Sequence, residues 1–182
     1  MNVTETTGSY TKKLVGSVIC EKEKDKDLHI FLILQKNGRI PISELAIKLN
    51  MSDTPCLRRV KKLENSGVIS GYSANLSADS LGFNAIVYVF VRLTENSNDN
   101  ADMFEGAVKD FPEVLECSVI SGSHDYLLKI ISNDLLSYES FIKQSFGNLR
   151  CVSSIESTVV LKQTFSRQQL PLIKTEKKMS FF

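Results

Sequence analysis

The sequence predicts an α+β protein with two modules. An N-terminal winged helix-turn-helix precedes a βαββαβ, ferredoxin-like module with a four-stranded antiparallel sheet and two helices. The first observation is a pair of short amphipathic helical patterns between Ile42 and Ser66, separated by a tight turn. The second is a change of pattern after Ala85, where β-branched and aromatic runs alternate with helical patterns in the order βαββαβ. Charge divides in the same way: residues 24–76 carry 9 Lys and Arg against 5 Asp and Glu (+4), and residues 77–166 carry 6 against 12 (−6).

Composition bounds the protein class. A chain of 182 residues with 42% hydrophobic residues holds one or two globular domains. No apolar run approaches the roughly 20 residues of a membrane span, and the run from Leu14 to Cys20 is too short for a signal-peptide core. These features favour a cytoplasmic protein with no membrane partner. The 4 cysteines are scattered without a C-x-x-C pair, and only 2 histidines are present, so we expect no metal site.

These patterns divide the chain into five segments. They are an extension (1–23), a helix-turn-helix domain (24–76), a linker (77–84), a ferredoxin-like domain (85–166) and a tail (167–182). In the second segment, Asp25 or Asp27 is placed to cap a helix that runs through Gln35 and stops at Asn37-Gly38. The run LHIFLILQ in this helix is apolar nearly all round. The helix has more apolar residues than one buried face needs. This predicts that it is also buried on a second side, either in a subunit contact or in a core that covers most of the helix.

The second helix of the predicted helix-turn-helix has two unlike faces. Asn50 suits the turn before it, and Ser52 offers a cap to its free amides. Cys56, Val60 and Leu63 cluster on one face at about 100° per residue, and cations with a hydroxyl project from the opposite arc. Such a strip suits the major groove of double-stranded DNA, although a solvated cationic face is the ordinary alternative. The predicted DNA-binding residues are Ser52, Thr54, Arg58, Arg59, Lys61 and Lys62.

A short hairpin, or wing, is predicted after this helix. Val68-Ile69 starts a strand, Ser70-Gly71 makes a turn, and the chain returns from Tyr72 to Leu76. The hydroxyl of Tyr72 could donate to a DNA phosphate, or the ring could simply pack, and the sequence does not separate the two. The following linker contains a short helical turn at most.

Local sequence patterns predict the four strands and two helices of the second module. Its strands are expected at residues 85–94, 114–121, 125–132 and 154–165. Residues 96–100 are expected to form a polar loop, followed by a helix that contains Met103, Phe104, Ala107 and Val108. Asp134 caps a second helix that contains Leu135, Tyr138, Phe141, Ile142 and Phe146. Both faces of the first strand are apolar, which predicts that a second copy of the chain covers the face without helices.

Two signatures in different domains resemble one family. SGSHDYLLKI and TPCLRRVKKLENSGVISGY resemble the Lrp/AsnC family of transcriptional regulators, and the resemblance covers Asp27 to Phe165. It implies that the winged helix binds DNA and that the βαββαβ module dimerises, assembles further into forms such as a tetramer or octamer, and binds an amino-acid effector. No other cofactor is implied. The effector-binding residues it implies are Gly122, Asp125, Tyr126, Leu135, Thr158, Val159 and Val160.

The chemistry of these residues agrees with an amino acid. Asp125 can accept from an ammonium group, and Gly122 lets backbone amides approach a carboxylate without a Cβ in the way. Leu135 and Val159 can enclose a side chain. The ordinary alternatives are a hairpin turn for Gly122, a turn acceptor for Asp125 and a core position for Leu135.

A second class of function is also open. The same two-module architecture resembles siroheme decarboxylases, and a βαββαβ sheet hosts many activities. The sequence has two histidines, no cluster of catalytic residue types and an intact cationic strip. We therefore expect a DNA-binding regulator and not an enzyme.

Overall fold

The computed structural model describes residues 21–172, with side chains from residue 25 onward. The proposed extension therefore lies almost entirely outside the described residues. The described residues form two compact units, one from residues 21–74 with 167–172 and one from residues 75–166. The proposed linker falls within the second of these units, and the start of the tail belongs to the first.

Within residues 21–74, the first unit is built from three helices around one small core. They are α1 (Glu21–Leu34), α2 (Ile42–Lys48) and α3 (Asp53–Asn65). The prediction that Cys56, Val60 and Leu63 form the inner face of α3 is confirmed, since all three are buried. They pack with Ile30, Ile40, Leu45 and Ala46. The turn between α2 and α3 contains Asn50, as predicted, and its positive φ of 50° lies in the left-handed region that Asn tolerates better than most residues.

The start of α1 differs from the prediction. The helix already includes Glu21, the first residue that the structure describes, so Asp25 and Asp27 lie inside it and neither is the cap. Asp27 is only 7% exposed, because its carboxylate is paired with Arg59 on α3. Ile30 is fully buried. Other apolar side chains of α1, namely Phe31, Leu32, Ile33 and Leu34, are only partly buried, which leaves the apolar surplus of this helix incompletely covered.

The segment after α3 begins with a turn and a bend, continues without regular secondary structure, and does not form the paired strands that the sequence predicted. A hairpin needs a packed face to be stable, and Val68 and Leu76 are 61% and 74% exposed. The amide of Ile69 instead donates to the carbonyl of Leu63. Tyr72 donates from its hydroxyl to Glu64, and its ring lies 3.1 Å from where a Cβ on Gly38 would stand. Tyr72 therefore folds back on the helical unit.

The second unit contains elements in the predicted order βαββαβ, and a short 3₁₀ turn at Asp79–Leu81 precedes them. They are β1 (Ala85–Leu93), α4 (Asn98–Lys109), β2 (Val114–Val119), β3 (Tyr126–Ser132), α5 (Leu135–Phe141) and β4 (Val152–Val159). The strands form a four-stranded antiparallel sheet in the order β2-β3-β1-β4. A π-helical turn, Ile142–Phe146, continues α5 and buries Phe146 against the sheet.

The predicted boundaries of α4 and β4 differ from the structure. Helix α4 begins inside the expected polar loop because the Ser97 hydroxyl accepts from the amide of Asn100 and caps it. Strand β4 starts two residues before the expected Ser154 and ends at Val159 instead of Phe165. It pairs with β1. Its last residue, Val159, lies opposite Val87, which is close to the first residue of β1. The Val160 amide still donates to the Ile86 carbonyl, but the residues after Val160 have no further part of β1 to pair with.

The two faces of the sheet are buried to different degrees. Val87, Val89 and Val91 are fully buried in the core with Phe104 and other residues of the helices. On the opposite face of β1, three residues, Ile86, Tyr88 and Phe90, remain partly exposed. The predicted alternation of two apolar faces is therefore confirmed, and only one face is fully buried within the unit.

Candidate DNA interface and effector pocket

Helix α3 presents its cationic strip to solvent. Thr54, Arg58, Lys61 and Lys62 are all exposed. Within residues 25–172, no carboxylate forms a salt bridge with Arg58, Lys61 or Lys62. The three cations are therefore available to an external anion, and a guanidinium in this position can donate two parallel bonds to a guanine edge.

Ser52 occupies the N-cap position of α3 but does not use its side chain there. Its backbone is extended, as a cap requires, and its carbonyl accepts from the amide of Cys56 at 3.2 Å. No hydrogen bond joins its hydroxyl to an amide of α3. The predicted position is confirmed and the predicted capping bond is not formed, which leaves the hydroxyl exposed at the positive end of the helix.

Arg59 is placed differently from the other candidates on α3. Its guanidinium Nη1 lies 2.8 Å from Oδ1 of Asp27, and its side chain is 20% exposed. Asp27 is 10% exposed as a side chain. Of the six residues predicted to bind DNA, this one has its charge matched inside the protein.

Three of the predicted effector residues meet at the hairpin between β2 and β3. Gly122 has a φ of +131°, a region that favours glycine, so the turn requires this residue type. The amide of Asp125 donates to the Val91 carbonyl, and its Oδ2 accepts from the amide of Leu93 at 2.8 Å. The Arg92 guanidinium donates to the Ser123 carbonyl. Three consecutive residues at the end of β1 thus fix the backbone of this turn.

Tyr126, the first residue of β3 after the hairpin, is buried and hydrogen-bonded to α4. It is 3% exposed, and its hydroxyl donates to Oε1 of Glu105 on α4 at 2.8 Å. Burial, followed by the hydrogen bond and negative charge of Glu105, raises the pKa of Tyr126 well above its ordinary value. The phenol therefore stays neutral at physiological pH and ties β3 to α4.

The other four predicted residues lie at the start of α5 and the end of β4. Leu135 and Val159 are 52% and 39% exposed, Thr158 is exposed and Val160 is half-buried. Asp134 caps α5, as predicted, by accepting from the amide of Ser137 at 2.7 Å, and these bonds lower the pKa of Asp134.

Side-chain contacts also join α5 to β4. The hydroxyl of Tyr138 lies 2.5 Å from Oγ of Ser157. Burial raises the pKa of Tyr138, so the phenol is neutral at physiological pH. The start of α5 therefore lies against the strand that carries the last three predicted residues.

A single chain does not bring the two groups together. Tyr126 pairs with Val91 on β1, whereas Val159 pairs with Val87. Four residues along a strand separate the groups by about 13 Å. The hairpin and the α5–β4 corner, the two proposed half-sites, therefore lie at opposite ends of the sheet.

The sequence did not reveal the partners that hold these residues. Leu93, Glu105 and Ser157 supply the contacts to Asp125, Tyr126 and Tyr138. A polar residue in a strand or on a helix gives no signal of its distant partner unless the register is known. Among residues 25–172, no group of three His, Cys, Asp or Glu side chains is placed to hold a metal ion. No described helix is long and apolar enough to cross a membrane.

Family comparisons match both units. Residues 23–70 match the winged helix-turn-helix DNA-binding family, and residues 86–170 match the Lrp/AsnC ligand binding domain family. The proline dehydrogenase transcriptional activator of Rhodobacter capsulatus is 38% identical over 75% of this chain and 88% of its own length. The leucine-responsive regulatory protein of Escherichia coli K12 is 36% identical over 85% of this chain and 94% of its own length.

Solved structures agree with the sequence relatives. The crystal structure of a transcriptional regulator from Neisseria meningitidis in complex with L-Met has a TM-score of 0.78 and 31% identity, and it covers 85% of this chain and 97% of that one. An AsnC family transcriptional regulator from Agrobacterium tumefaciens has a TM-score of 0.77 and 32% identity, with coverages of 81% and 95%. With the helix-turn-helix, the βαββαβ sheet and relatives of this identity along most of its length, the chain belongs to the Lrp/AsnC family of DNA-binding transcriptional regulators.

Proposed function

We propose that this regulator recognises specific duplex sites through α3 and that a small amino acid, bound between subunits, modulates its assembly or its DNA affinity. The observation that carries the first part is the exposed strip of Arg58, Lys61 and Lys62. Phosphate contacts from Lys supply sequence-independent affinity, and a bidentate Arg supplies discrimination between bases. Ser52 and Thr54 add hydroxyl donors beside them. A DNA target requires a location beside the chromosome, so the cytoplasmic location remains a prediction that rests on this role.

The separation of the two half-sites supports an effector that binds between copies. The hairpin offers the Oδ1 atom of Asp125 and the backbone around Gly122 to an ammonium and a carboxylate. The α5–β4 corner offers the apolar side chains of Leu135 and Val159. About 13 Å along β1 lies between the groups. A free amino acid is too small to bridge that distance, so a complete pocket needs the corner of a second copy.

The chemistry of the corner favours an apolar amino acid. Leu135 and Val159 carry no charge, and the relative from Neisseria meningitidis is a complex with L-Met. Methionine and leucine are therefore the first candidates to test, with charged amino acids as the contrast.

The open face of the sheet supports a dimer as the basic assembly. Ile86, Tyr88 and Phe90 remain partly exposed at the centre of the sheet. Next to the sheet, exposed apolar residues of the preceding segment and β2 line an apolar recess: Leu76, Leu81, Phe83 and Leu115. A second copy on this face would bury both surfaces. Tetramers or octamers follow if the half-sites of different dimers then meet.

An enzymatic role has less support. Within the described residues, the two histidines lie apart: His29 is on the exposed side of α1, and His124 lies beside Phe90 in the second unit. Within residues 25–172, neither histidine belongs to a group of three His, Cys, Asp or Glu side chains that could hold a metal ion. A tetrapyrrole spectrum on the purified protein would favour the siroheme decarboxylase alternative.

Selection from a random duplex library, followed by footprinting, tests the DNA-binding part. The full chain should enrich one sequence pattern, and a variant with Arg58→Ala, Lys61→Ala and Lys62→Ala should enrich none while its circular dichroism is unchanged. A thermal-shift screen with the common amino acids tests the effector part. A ligand at 100 times its Kd adds about 2.7 kcal/mol of stability. The absence of any shift with every amino acid at millimolar concentration would contradict the effector part and leave the DNA-binding part standing.

A further inference from the structure

We infer that Arg59 is a positioning residue that, through its ion pair with Asp27, sets the angle at which α3 presents its cationic strip to DNA. The guanidinium Nη1 and the carboxylate Oδ1 lie 2.8 Å apart, and both side chains are at least four-fifths buried. The two residues are 32 positions apart and join α1 to α3. The inference rests on the proposed DNA-binding role of α3.

The burial of the neighbours explains why this pair lies where the two helices meet. Arg59 precedes the buried Val60 and is three and four residues from Cys56 and Leu63, so its stem runs along the edge of the inner face of α3. Asp27 is three residues before Ile30, which is fully buried on the inner face of α1. The ion pair therefore lies at one edge of the apolar contact between the two helices.

The directionality of the pair gives it a function beyond stability. Apolar packing is non-directional, so the burial of Cys56, Val60 and Leu63 alone tolerates small rotations of α3 about its axis. A charge-assisted hydrogen bond has a preferred geometry and resists such rotations. Arg58, the neighbouring residue, is about 100° away on the helix. A fixed Arg59 therefore fixes the direction of Arg58, on which base discrimination depends.

The charge of Arg59 also argues against a second role as a phosphate contact. Its guanidinium faces a carboxylate in a partly desolvated place, so a DNA phosphate would have to compete with Asp27 for it. Lys61 and Lys62 are exposed and have no such competitor among the described residues. Arg59 thus contributes geometry, and its neighbours contribute contacts.

Five variants of the full chain separate the two roles. They are Asp27→Asn, Arg59→Gln, the combination of both, the charge exchange Asp27→Arg with Arg59→Asp, and Lys62→Gln as the control for a phosphate contact. Each is measured for affinity to the selected site and to random duplex at several salt concentrations. Thermal melting is recorded beside each measurement.

If Arg59 positions α3, Asp27→Asn and Arg59→Gln each lower affinity for the selected site by tenfold or more and lower affinity for random duplex much less. The combination is no worse than the poorer single variant, because the two residues act as one unit. The salt dependence of Asp27→Asn matches that of wild type, whereas Lys62→Gln loses about 0.9 from the slope of log K against log salt. The charge exchange recovers selected-site affinity, although an acidic side chain at position 59 would repel a phosphate.

Several results would overturn the inference. One is an Asp27→Asn variant that binds the selected site as well as or better than wild type while Arg59→Gln loses affinity for both duplexes with a lower slope. Another is a charge-exchange variant that melts like wild type and does not bind the selected site. If both single variants melt too early to assay, the exchange variant decides; if the exchange variant does not fold, the single variants decide. Failure of the proposed function can be told apart from failure of this inference, because in the first case the wild-type protein itself would select no DNA site.

Discussion

The carboxylate of Asp125 accepts a hydrogen bond of 2.8 Å from the backbone amide of Leu93, 32 residues earlier in the chain. Leu93 lies at a bulge, where the register of β1 with β4 shifts between Arg92 and Leu93. The bulge turns its amide toward the hairpin, and the bond ties the Gly122 turn to the end of the central strand. One carboxylate oxygen, Oδ2, is thus engaged by the chain itself, and within residues 25–172 no hydrogen bond to Oδ1 is formed.

This geometry makes Asp125→Asn the sharpest test of the effector site. Asparagine keeps an oxygen that can accept from Leu93 but loses the negative charge that attracts an ammonium. We expect unchanged melting and basal DNA binding, with at least a tenfold loss of sensitivity to the active amino acid, because one charge-assisted contact contributes about 1.5–3 kcal/mol. Gel shifts and sedimentation with and without that amino acid measure the response.

The matched control is Asp125→Ala, which removes the bond to Leu93 as well and should lower melting in addition to sensitivity. A fully responsive Asp125→Asn variant would mean that Asp125 is only a turn residue. The pocket would then lie elsewhere in the assembly.

Arg58 and Lys62 should differ in the kind of DNA affinity that they provide. Arg58→Ala is expected to weaken binding to the selected site by about 1–3 kcal/mol and binding to random duplex much less, as the loss of a bidentate base contact does. Lys62→Ala is expected to weaken both by similar factors and to flatten the salt dependence. Competition gel shifts at two salt concentrations measure both. Equal losses on the two duplexes for Arg58→Ala would contradict its assigned role.

The inner face of α3 could be predicted from sequence because helical periodicity is local. Cys56, Val60 and Leu63 repeat within eight residues, and all three are buried. The capping of α5 by Asp134 was predictable for the same reason, since the Asp side chain and the Ser137 amide are three residues apart.

The pair of Asp27 and Arg59 was not predictable, because its members are 32 residues apart and each looks like a surface residue by type. The end of β4 was missed for a related reason. The residues after Val159 mix apolar and polar types in a way that suits a strand. A strand in a sheet, however, can extend only as far as its neighbour. The antiparallel neighbour β1 begins at Ala85, so β4 ends near that residue. Register, which decides both the length of β4 and the separation of the two half-sites, is a long-range property.

A charge on the open face of the sheet should break the proposed dimer. Ile86 lies on β1 opposite Ile131 of β3, and both are partly exposed. We expect Ile86→Glu to shift the full chain toward monomers at micromolar concentration, because a carboxylate without a partner in an apolar interface keeps a large desolvation cost. Sedimentation velocity measures the shift.

Met103→Glu is the control, since Met103 is 56% exposed on α4 and lies on the helical side of the sheet. The isolated second unit, residues 75–166, should likewise remain dimeric or larger. A monomeric second unit, or an Ile86→Glu variant that assembles like wild type, would move the interface to the incompletely covered face of α1.

Tyr72 provides a pH-dependent reporter of the first unit. Its hydroxyl donates to Oε1 of Glu64 at 3.0 Å. Burial, together with the hydrogen bond and charge of Glu64, raises the pKa of Tyr72 to about 12, whereas an unfolded tyrosine has a pKa of about 10. Between these values the folded chain keeps a proton that the unfolded chain loses. The contribution of Tyr72 to stability is therefore complete below about pH 10 and is lost as the pH rises toward 12.

We expect the ultraviolet difference spectrum of wild type against Tyr72→Phe to show one tyrosine that ionises near pH 12, provided that the first unit is still folded there. Glu64→Gln is the matched variant, because it keeps an acceptor but removes the charge, and it should move that ionisation toward its ordinary value. The same Tyr72→Phe protein also decides between the two roles that the sequence left open. Unchanged affinity for the selected site would mean that Tyr72 packs on α3 and Gly38, whereas a uniform loss on all duplexes with a lower salt slope would mean that it approaches a phosphate.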